Sequence, residues 1–324
     1  MEATYHCPHC RSAIAAPEGD AFRVECRCGF GFHVRGGVLD RIGETQREER
    51  AAEVEDFYSI SPFPGYAPGD DGPTLIDRCR RSAFLRSLDA ALPPDAPLLD
   101  CGCGTAQISA FLALSGPGRR VFGIDGCRAS LAHADDFRAR ANITNLQLVR
   151  GDLFDLPVEQ GTWPYVLSRG VVHHTPDPDE AMRRVAACVA PGGFLLMGFY
   201  ETAARGFHVA RRALGKLVGK PLRALDPVLQ RNDLDEDKKR IWIDDQYKYP
   251  LEHILPLLRV MRVLEAEGFR WLRSVPPAPL GANVFDPTPE LGAAARFRLR
   301  AGWALAGIRD PDAGLVFVVA QKGS

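Results

Sequence analysis

The sequence predicts an α/β protein built on a parallel, doubly wound sheet. Three observations carry this. From residue 97 onward, short apolar runs alternate with helical stretches, the rhythm of strand–helix–strand units. Runs such as "PLLDC", "RVFGID" and "LQLVRGD" are apolar at neighbouring positions, as strands covered on both faces are. Turn residues mark the boundaries: "PPDAP" before the first strand and Gly116 after the first helix.

Composition sets the outer limits. At 324 residues the chain can hold one large domain with an appendage, or two domains. An apolar share of 46% and a charged share of 25% are ordinary for a soluble protein. The formal net charge of −1 gives no basic field of the kind that drives non-specific nucleic-acid binding. No apolar run approaches the roughly 20 residues that span a bilayer, and "MEATYHCPHC" has the character of neither a signal nor a transit peptide. Of nine cysteines, four fall in pairs within the first 28 residues. An odd count in that pattern predicts a metal site plus reduced core thiols, and hence a cytoplasmic setting.

Taken in order, residues 1–42 form a small cysteine-bearing head of short β-like runs, with too little apolar mass for its own core. Residues 43–96 are a linker with helices: "ETQREERAAEVEDFYS" reads as a connector helix. "ISPFPGYAPGDDGP" is broken by its prolines and glycines, and a helix spans about 74–91. Residues 97–324 hold seven predicted strands: 97–101, 120–125, 146–152, 165–172, 192–200, 269–275 and 313–323. Helices are expected at 105–116, 127–141, 177–190 and 251–267, the third capped by Asp177 or Asp179. Residues 201–250 interrupt the alternation as a helical insertion after strand five.

The turn "LLDCGCGTAQ" follows the first strand. Cys101 and Cys103 straddle a glycine at the end of a buried strand without partner ligands nearby, so they read as small core fillers. A dinucleotide fingerprint needs a small residue where Gln107 stands, so that pattern fails. What fits is Asp100 two residues before Gly102, then Gly104 and Ala106. Glycines let backbone N–H groups approach a ligand, and a helix N-terminus favours a carboxylate. Asp100 suits a cationic amino group and repels a pyrophosphate. Carboxylate plus ammonium describes the amino-acid end of S-adenosylmethionine.

With these residues in place, residues 97–200 resemble the class I S-adenosylmethionine-dependent methyltransferases. "DCGCGTA" lines up with that family's glycine loop, and "GIDG" with its acidic second-strand end. The block "VLSRGVVHHTPDPDEAMRRVAACVAPGGFLLMGFY" is similar to the quinone- and sterol-methylating branch. The resemblance implies a seven-stranded Rossmann-like methyltransferase sheet. It also implies Asp125 on the ribose hydroxyls and Asp152 facing the adenine amino group, with Gln107, Leu153 and Arg169 also against the cofactor. Ala106, Tyr165 and Cys127 depart from the family's usual glycine, aspartate and serine.

In the head, "CPHC" and "CRC" offer Cys7, Cys10, Cys26 and Cys28 as a structural zinc site. The second pair is one residue tighter than C-x-x-C, so His6, His9 or His33 could replace one thiolate. "FHVRGGVLDRI" resembles the tail of zinc-ribbon modules in some bacterial methyltransferases, and in a small activator of tRNA methyltransferases.

Acceptor-side candidates lie past strands four and five: His173, His174, Tyr200 and Glu201. The two histidines, with Tyr247 of "WIDDQYKYP", are the catalytic candidates; Asp245 and Gln246 could also face substrate. The bland alternatives are wall residues for the histidines and a capped turn for the loop. No N-P-P-Y-type block or Pro-Cys pair follows strand four, which argues against adenine-N6, glutamine-amide and cytosine-C5 chemistry. Residues 205–223 carry six Lys or Arg and no acid, with Phe207, Ala210, Leu214 and Leu217 on one stripe. That segment reads as a lid laying its apolar side on the active site, or as a peripheral contact with a membrane or an anionic substrate. The expectation is methyl transfer to an O, N or C atom of a small molecule. The alternatives are an RNA methyltransferase docking through the head and basic helix, and a non-catalytic partner protein with this fold.

Overall fold

The computed structural model describes residues 5–14, 23–41, 65–67, 69–218, 226, 229–230, 236–243, 252–275, 283–287, 292–309 and 315–324. The connector helix predicted from residue 44 lies outside these, as does the loop carrying Asp245, Gln246 and Tyr247.

The parallel core is laid down where the apolar runs predicted it. Strands β6 (Pro97–Cys101), β7 (Arg120–Asp125), β8 (Leu146–Arg150), β9 (Trp163–Arg169) and β10 (Val189–Tyr200) pair in parallel in the order β8-β7-β6-β9-β10. Strands β11 (Phe269–Val275) and β12 (Leu315–Lys322) close that side as β10-β12-β11, both pairings antiparallel. The seven expected strands are all present. The chain leaves β6 in one direction for β7 and β8, and resumes on its other side with β9. This reversal opens a crevice beyond the strand C-termini, where ligands of such sheets bind.

Neighbouring residues of one strand are buried on opposite faces. Leu99, Phe122 and Val149 belong to one apolar cluster, whereas Leu98, Val121 and Leu148 belong to the other. That explains why the strands read as unbroken apolar runs. Helices α1 (Gly72–Arg81), α2 (Ala83–Ala91), α3 (Gln107–Ser115) and α4 (Arg128–Arg140) contribute to the second cluster. Helices α5 (Pro178–Ala187) and α8 (Leu257–Ala266) contribute to the first. Between them in sequence come α6 (Thr202–Leu217) and α7 (Glu236–Ile243).

Local chemistry sets the helix ends. The helix predicted over 74–91 is two helices, because Ser82 is extended and its hydroxyl accepts from the Leu85 N–H at 3.4 Å, starting α2. Asp177, not Asp179, caps α5: its Oδ1 accepts from the N–H groups of Asp179 and Glu180, both at 3.1 Å. At α4 the Cys127 sulfur takes the cap position, 3.5 Å from the Ser130 N–H, filling the place of the more usual serine. Helix α9 (Ala293–Arg309) was not expected from the sequence; its Trp303 is fully buried while Phe297 and Leu305 are exposed.

The head does not stand apart. A separate hairpin pairs β1 (Tyr5–His6) with β2 (Ala13–Ile14). Strands β3 (Arg23–Glu25), β4 (Gly31–Arg35) and β5 (Val38–Asp40) form an antiparallel meander, and β5 pairs in parallel with β8. Among the described residues the main sheet therefore has ten strands. The head's small apolar set is buried with the domain: Cys7, Ile14, Val24 and Phe32 share a cluster with Leu99 and Val149.

Candidate active site and metal centre

The glycine loop lies at the C-terminal end of β6, beside the switch point. Its backbone is tied to β7, since the N–H groups of Gly102 and Cys103 both donate to the Ile124 carbonyl, at 2.7 and 3.0 Å. Gly102 has φ +78°, and a Cβ there would run into Val171. Gly104 and Ala106 both have φ +56°, the left-handed region that glycine enters freely and alanine does not. Ala106 is held there as the residue preceding α3, with its carbonyl accepting the Ala110 N–H at 2.8 Å.

Two carboxylates face this loop. Asp125, ending β7, accepts from the Gly104 N–H through Oδ2 and from the Cys127 N–H through Oδ1, each at 2.8 Å. Asp100 is buried at the end of β6 and accepts from the Ser109 hydroxyl at 2.5 Å. Burial pushes the Asp100 carboxyl up to about 6, and the nearby Asp125 charge adds to this against the pull of Ser109. A crevice with two crowded carboxylates suits a cationic ligand and is hostile to a pyrophosphate. The residues present therefore fit the amino-acid and ribose parts of S-adenosylmethionine.

The remaining expected contacts stand at or just past the C-terminal ends of β8 and β9 and at the start of α3. Asp152 follows β8, exposed, with Oδ1 accepting from the Phe154 N–H at 2.9 Å; Leu153 beside it packs on the core. Arg169 ends β9 with its guanidinium 5.9 Å from the Phe317 ring centre. Gln107 begins α3 and donates to the Gly65 carbonyl at 3.0 Å. The neighbouring Tyr66 hydroxyl donates to the Thr105 carbonyl at 2.9 Å, and its ring stacks on Phe137. These two residues bring the segment before the domain onto the glycine loop; residues 57–64 lie outside the described ones. Cys101 is fully buried and Cys103 packs against Gly123, as core fillers would. Tyr165 stands near the start of β9 among Phe194 and Phe285, away from the crevice.

In the head, the sulfurs of Cys7, Cys10, Cys26 and Cys28 all lie within 4.8 Å of one another. The Cys7–Cys28 and Cys10–Cys26 separations are 3.7 and 3.4 Å. Four sulfurs at a Zn–S distance of about 2.3 Å on a tetrahedron stand about 3.8 Å apart, so the set is close to a closed metal site. Among the described residues no histidine joins the cluster. His9 stacks on Phe30 and His6 lies in β1, so the substitutions considered for His6, His9 and His33 are not used.

On the acceptor side, a short 3₁₀ turn, Val172–His174, follows β9. His173 is fully buried between His174 and Tyr200, its ring 3.9 Å from that of Tyr200, and neither ring nitrogen has a hydrogen-bond partner among the described residues. Burial, helped by His174, Arg205 and His253, pushes its pKa well below the usual histidine value, so it is neutral at pH 7. The His253 N–H donates to the His173 carbonyl at 2.8 Å, and the Arg205 guanidinium lies 3.7 Å over Tyr200 while pairing with Glu252 at 2.8 Å. His174 is also buried, edge-on to Tyr200.

Two expectations change here. Glu201 is fully buried as a structural acid: it accepts from the N–H groups of Ala203 and Ala204 at the start of α6, and pairs with Arg300 at 2.9 Å. Helix α6 turns its polar side inward, burying Arg205, His208 and Arg211, the last paired with Asp226 at 3.0 Å. The stripe of Phe207, Leu214 and Leu217 is exposed and does not cover the site, because buried acids on other segments hold the basic side in place. Sequence reading missed Ser109, Arg205 and His253. Only Ser109 carried a signal, as a small polar residue one turn into the helix above Asp100.

Comparison with known proteins agrees with this geometry. Residues 99–197 match a family model described as a methyltransferase domain. The trans-aconitate 2-methyltransferase of Deinococcus radiodurans is 32% identical over 136 residues, 41% of this chain and 49% of that protein. A demethylmenaquinone methyltransferase of Bacillus mycoides is 28% identical over 114 residues, 35% of this chain and 47% of that one. The chain thus spans less than half the length of these curated relatives. Among solved structures, a complex between the Haloferax volcanii Trm112 methyltransferase activator and a candidate methyltransferase superposes with TM-score 0.50 at 17% identity, over 86% of this chain and 99% of that chain; it shares the fold. No helix among the described residues is long and apolar enough to cross a membrane. Residues 99–197 thus carry a methyltransferase domain, preceded by an N-terminal segment whose four cysteines cluster.

Proposed function

We propose that the protein transfers a methyl group from S-adenosylmethionine to an O, N or C atom of a small molecule, with a structural zinc in its head. The observation that carries the reading is the Asp125 carboxylate bound to the Gly104 N–H beside buried Asp100. The cofactor supplies an electrophilic methyl group on a sulfonium. Gly102 and Gly104 let the backbone approach it, and Asp125 takes the ribose hydroxyls. Asp100 balances the positive charge, while Asp152 and Leu153 meet the adenine, with Gln107 and Arg169 at the rim. Positioning supplies much of the rate in such an in-line displacement.

His173 and His174 form the wall facing the acceptor. Neutral His173 would offer a lone pair to the proton that a hydroxyl loses on methylation, or that an amine, attacking as the free base, loses once its nitrogen carries the methyl. Tyr247 remains a candidate for the same face. Cys7, Cys10, Cys26 and Cys28 would hold zinc in a closed four-ligand site, which stabilises the head and leaves no open position for chemistry. The test is release of S-adenosylhomocysteine when metal-loaded protein meets S-adenosylmethionine and small-molecule pools of carboxylic acids, phenols and amines, with RNA as a separate arm. Release that depends on one pool supports the reading. Cofactor binding without release in any pool, RNA included, favours a non-catalytic partner; release with RNA alone favours the RNA enzyme.

A further inference from the structure

We infer that Asp40, in the cysteine head, is a positioning residue for the Asp125 carboxylate; this rests on the S-adenosylmethionine reading above. Asp40 ends β5 and is 2% exposed. Its Oδ2 lies 3.3 Å from Arg150 Nη1, 3.3 Å from Arg128 Nη2 and 3.7 Å from Arg35 Nε. Arg150 and Arg128 stand on either side of the turn that carries Asp125. Arg150 ends β8, is itself 2% exposed, and donates through Nε to the carbonyl of Gly126, the residue after Asp125. Arg128 is the first residue of α4, three positions after Asp125.

The backbone reinforces the same joint. The Arg41 N–H donates to the Arg150 carbonyl at 2.9 Å, and the Gly151 N–H to the Asp125 carbonyl at 3.1 Å. One head carboxylate therefore clamps both flanks of the residues from Asp125 to Arg128. A buried carboxylate between cations holds its partners firmly, and removing it leaves the Arg150 charge buried beside the turn. A second contact fixes the head's own placement: the Gly37 N–H donates to Asp135 of α4 at 2.8 Å, where a Cβ on Gly37 would run into Arg138 and Asp135. The head thus acts as part of the cofactor crevice's frame, and the effect of its metal should pass to Asp125 through Asp40.

The experiment is calorimetric titration of full-length, metal-loaded protein with S-adenosylhomocysteine and with its 2′,3′-dideoxy counterpart, for the wild type and Asp40→Asn. The expected result is a loss of about tenfold in affinity for S-adenosylhomocysteine in the variant, with the dideoxy ligand within about twofold of wild type. A purely structural role would weaken both ligands alike, and that outcome overturns the inference, as does an unchanged affinity for S-adenosylhomocysteine. If Asp40→Asn does not fold, Arg128→Gln removes one arm of the clamp and should show the same selectivity at about threefold; equal losses or none overturn it. A wild type that binds neither ligand overturns the cofactor reading, and this inference with it.

Discussion

The Gly104 N–H donates to Asp125 Oδ2 at 2.8 Å, joining the turn after β6 to the end of β7 across the mouth of the crevice. This bond brings the turn after β6 and the turn after β7 to one place.

Gly102→Ala should disturb the loop directly. Gly102 has φ +78°, and a Cβ would run into Val171. A loss of about 1–3 kcal/mol in stability is expected, with weaker binding of S-adenosylhomocysteine. Thermal denaturation and titration together check it; a variant as stable and tight as wild type contradicts the assignment of the loop.

Asp100 should make cofactor affinity depend on pH. Its carboxyl is raised to about 6 from 3.8, so across that interval the folded protein binds more protons than the unfolded chain. Stability of the ligand-free protein then falls as pH rises through the window, by about 3 kcal/mol at most from this group. Affinity for the cationic cofactor should move the other way, rising from pH 5 and levelling near 7 as the carboxylate forms. Asp100→Asn should flatten the affinity profile. A profile with the same slope in the variant would assign the ionisation to another group.

His173→Asn should separate chemistry from binding. A proton-accepting role predicts a fall in kcat of about a hundredfold or more, with affinity for S-adenosylhomocysteine unchanged. Because burial keeps the ring neutral well below pH 6.5, no rate step from this group is expected between pH 6 and 8. Equal losses in binding and turnover would make it a wall residue.

Exchange of Cys7 and Cys10 for serine should abolish metal binding, from one zinc per chain to background by elemental analysis. The melting midpoint should fall by roughly 3–8 °C, a few kcal/mol. Faster hydrogen exchange should be confined to β1–β5 and the adjoining edge of β8, because the ligands sit in the β1–β2 hairpin and the β3–β4 turn, and among the described strands the head joins the main sheet through β5 and β8. Retained metal in the double variant contradicts the four-sulfur site.

The central strands, the glycine loop and the cysteine pairs were legible because each is encoded locally. "PLLDC" is apolar on both faces, "DCGCGTA" sets its own turn, and C-x-x-C with C-x-C fixes ligand spacing. The joining of the head to the sheet was not legible. Strand β5 has three residues, too few for a period, and its partner β8 lies more than a hundred residues away. Helix α9 escaped because arginines and Gly302 break its apolar stripe, leaving Trp303 as its fully buried anchor. The exposed stripe on α6 misled for a related reason. Periodicity marks an apolar face, but the buried acids Glu252 and Asp226, far along the chain, decided which face turned inward.

The most direct measurement is calorimetric titration of S-adenosylhomocysteine into the metal-loaded protein and into Asp125→Ala, with NADH as the competing chemistry. Binding on the order of micromolar, about −8 kcal/mol, that weakens about a hundredfold or more in the variant and is absent for NADH is the predicted result. Folded wild type that does not bind, or a variant that binds as tightly, would contradict the cofactor crevice on which the functional reading stands.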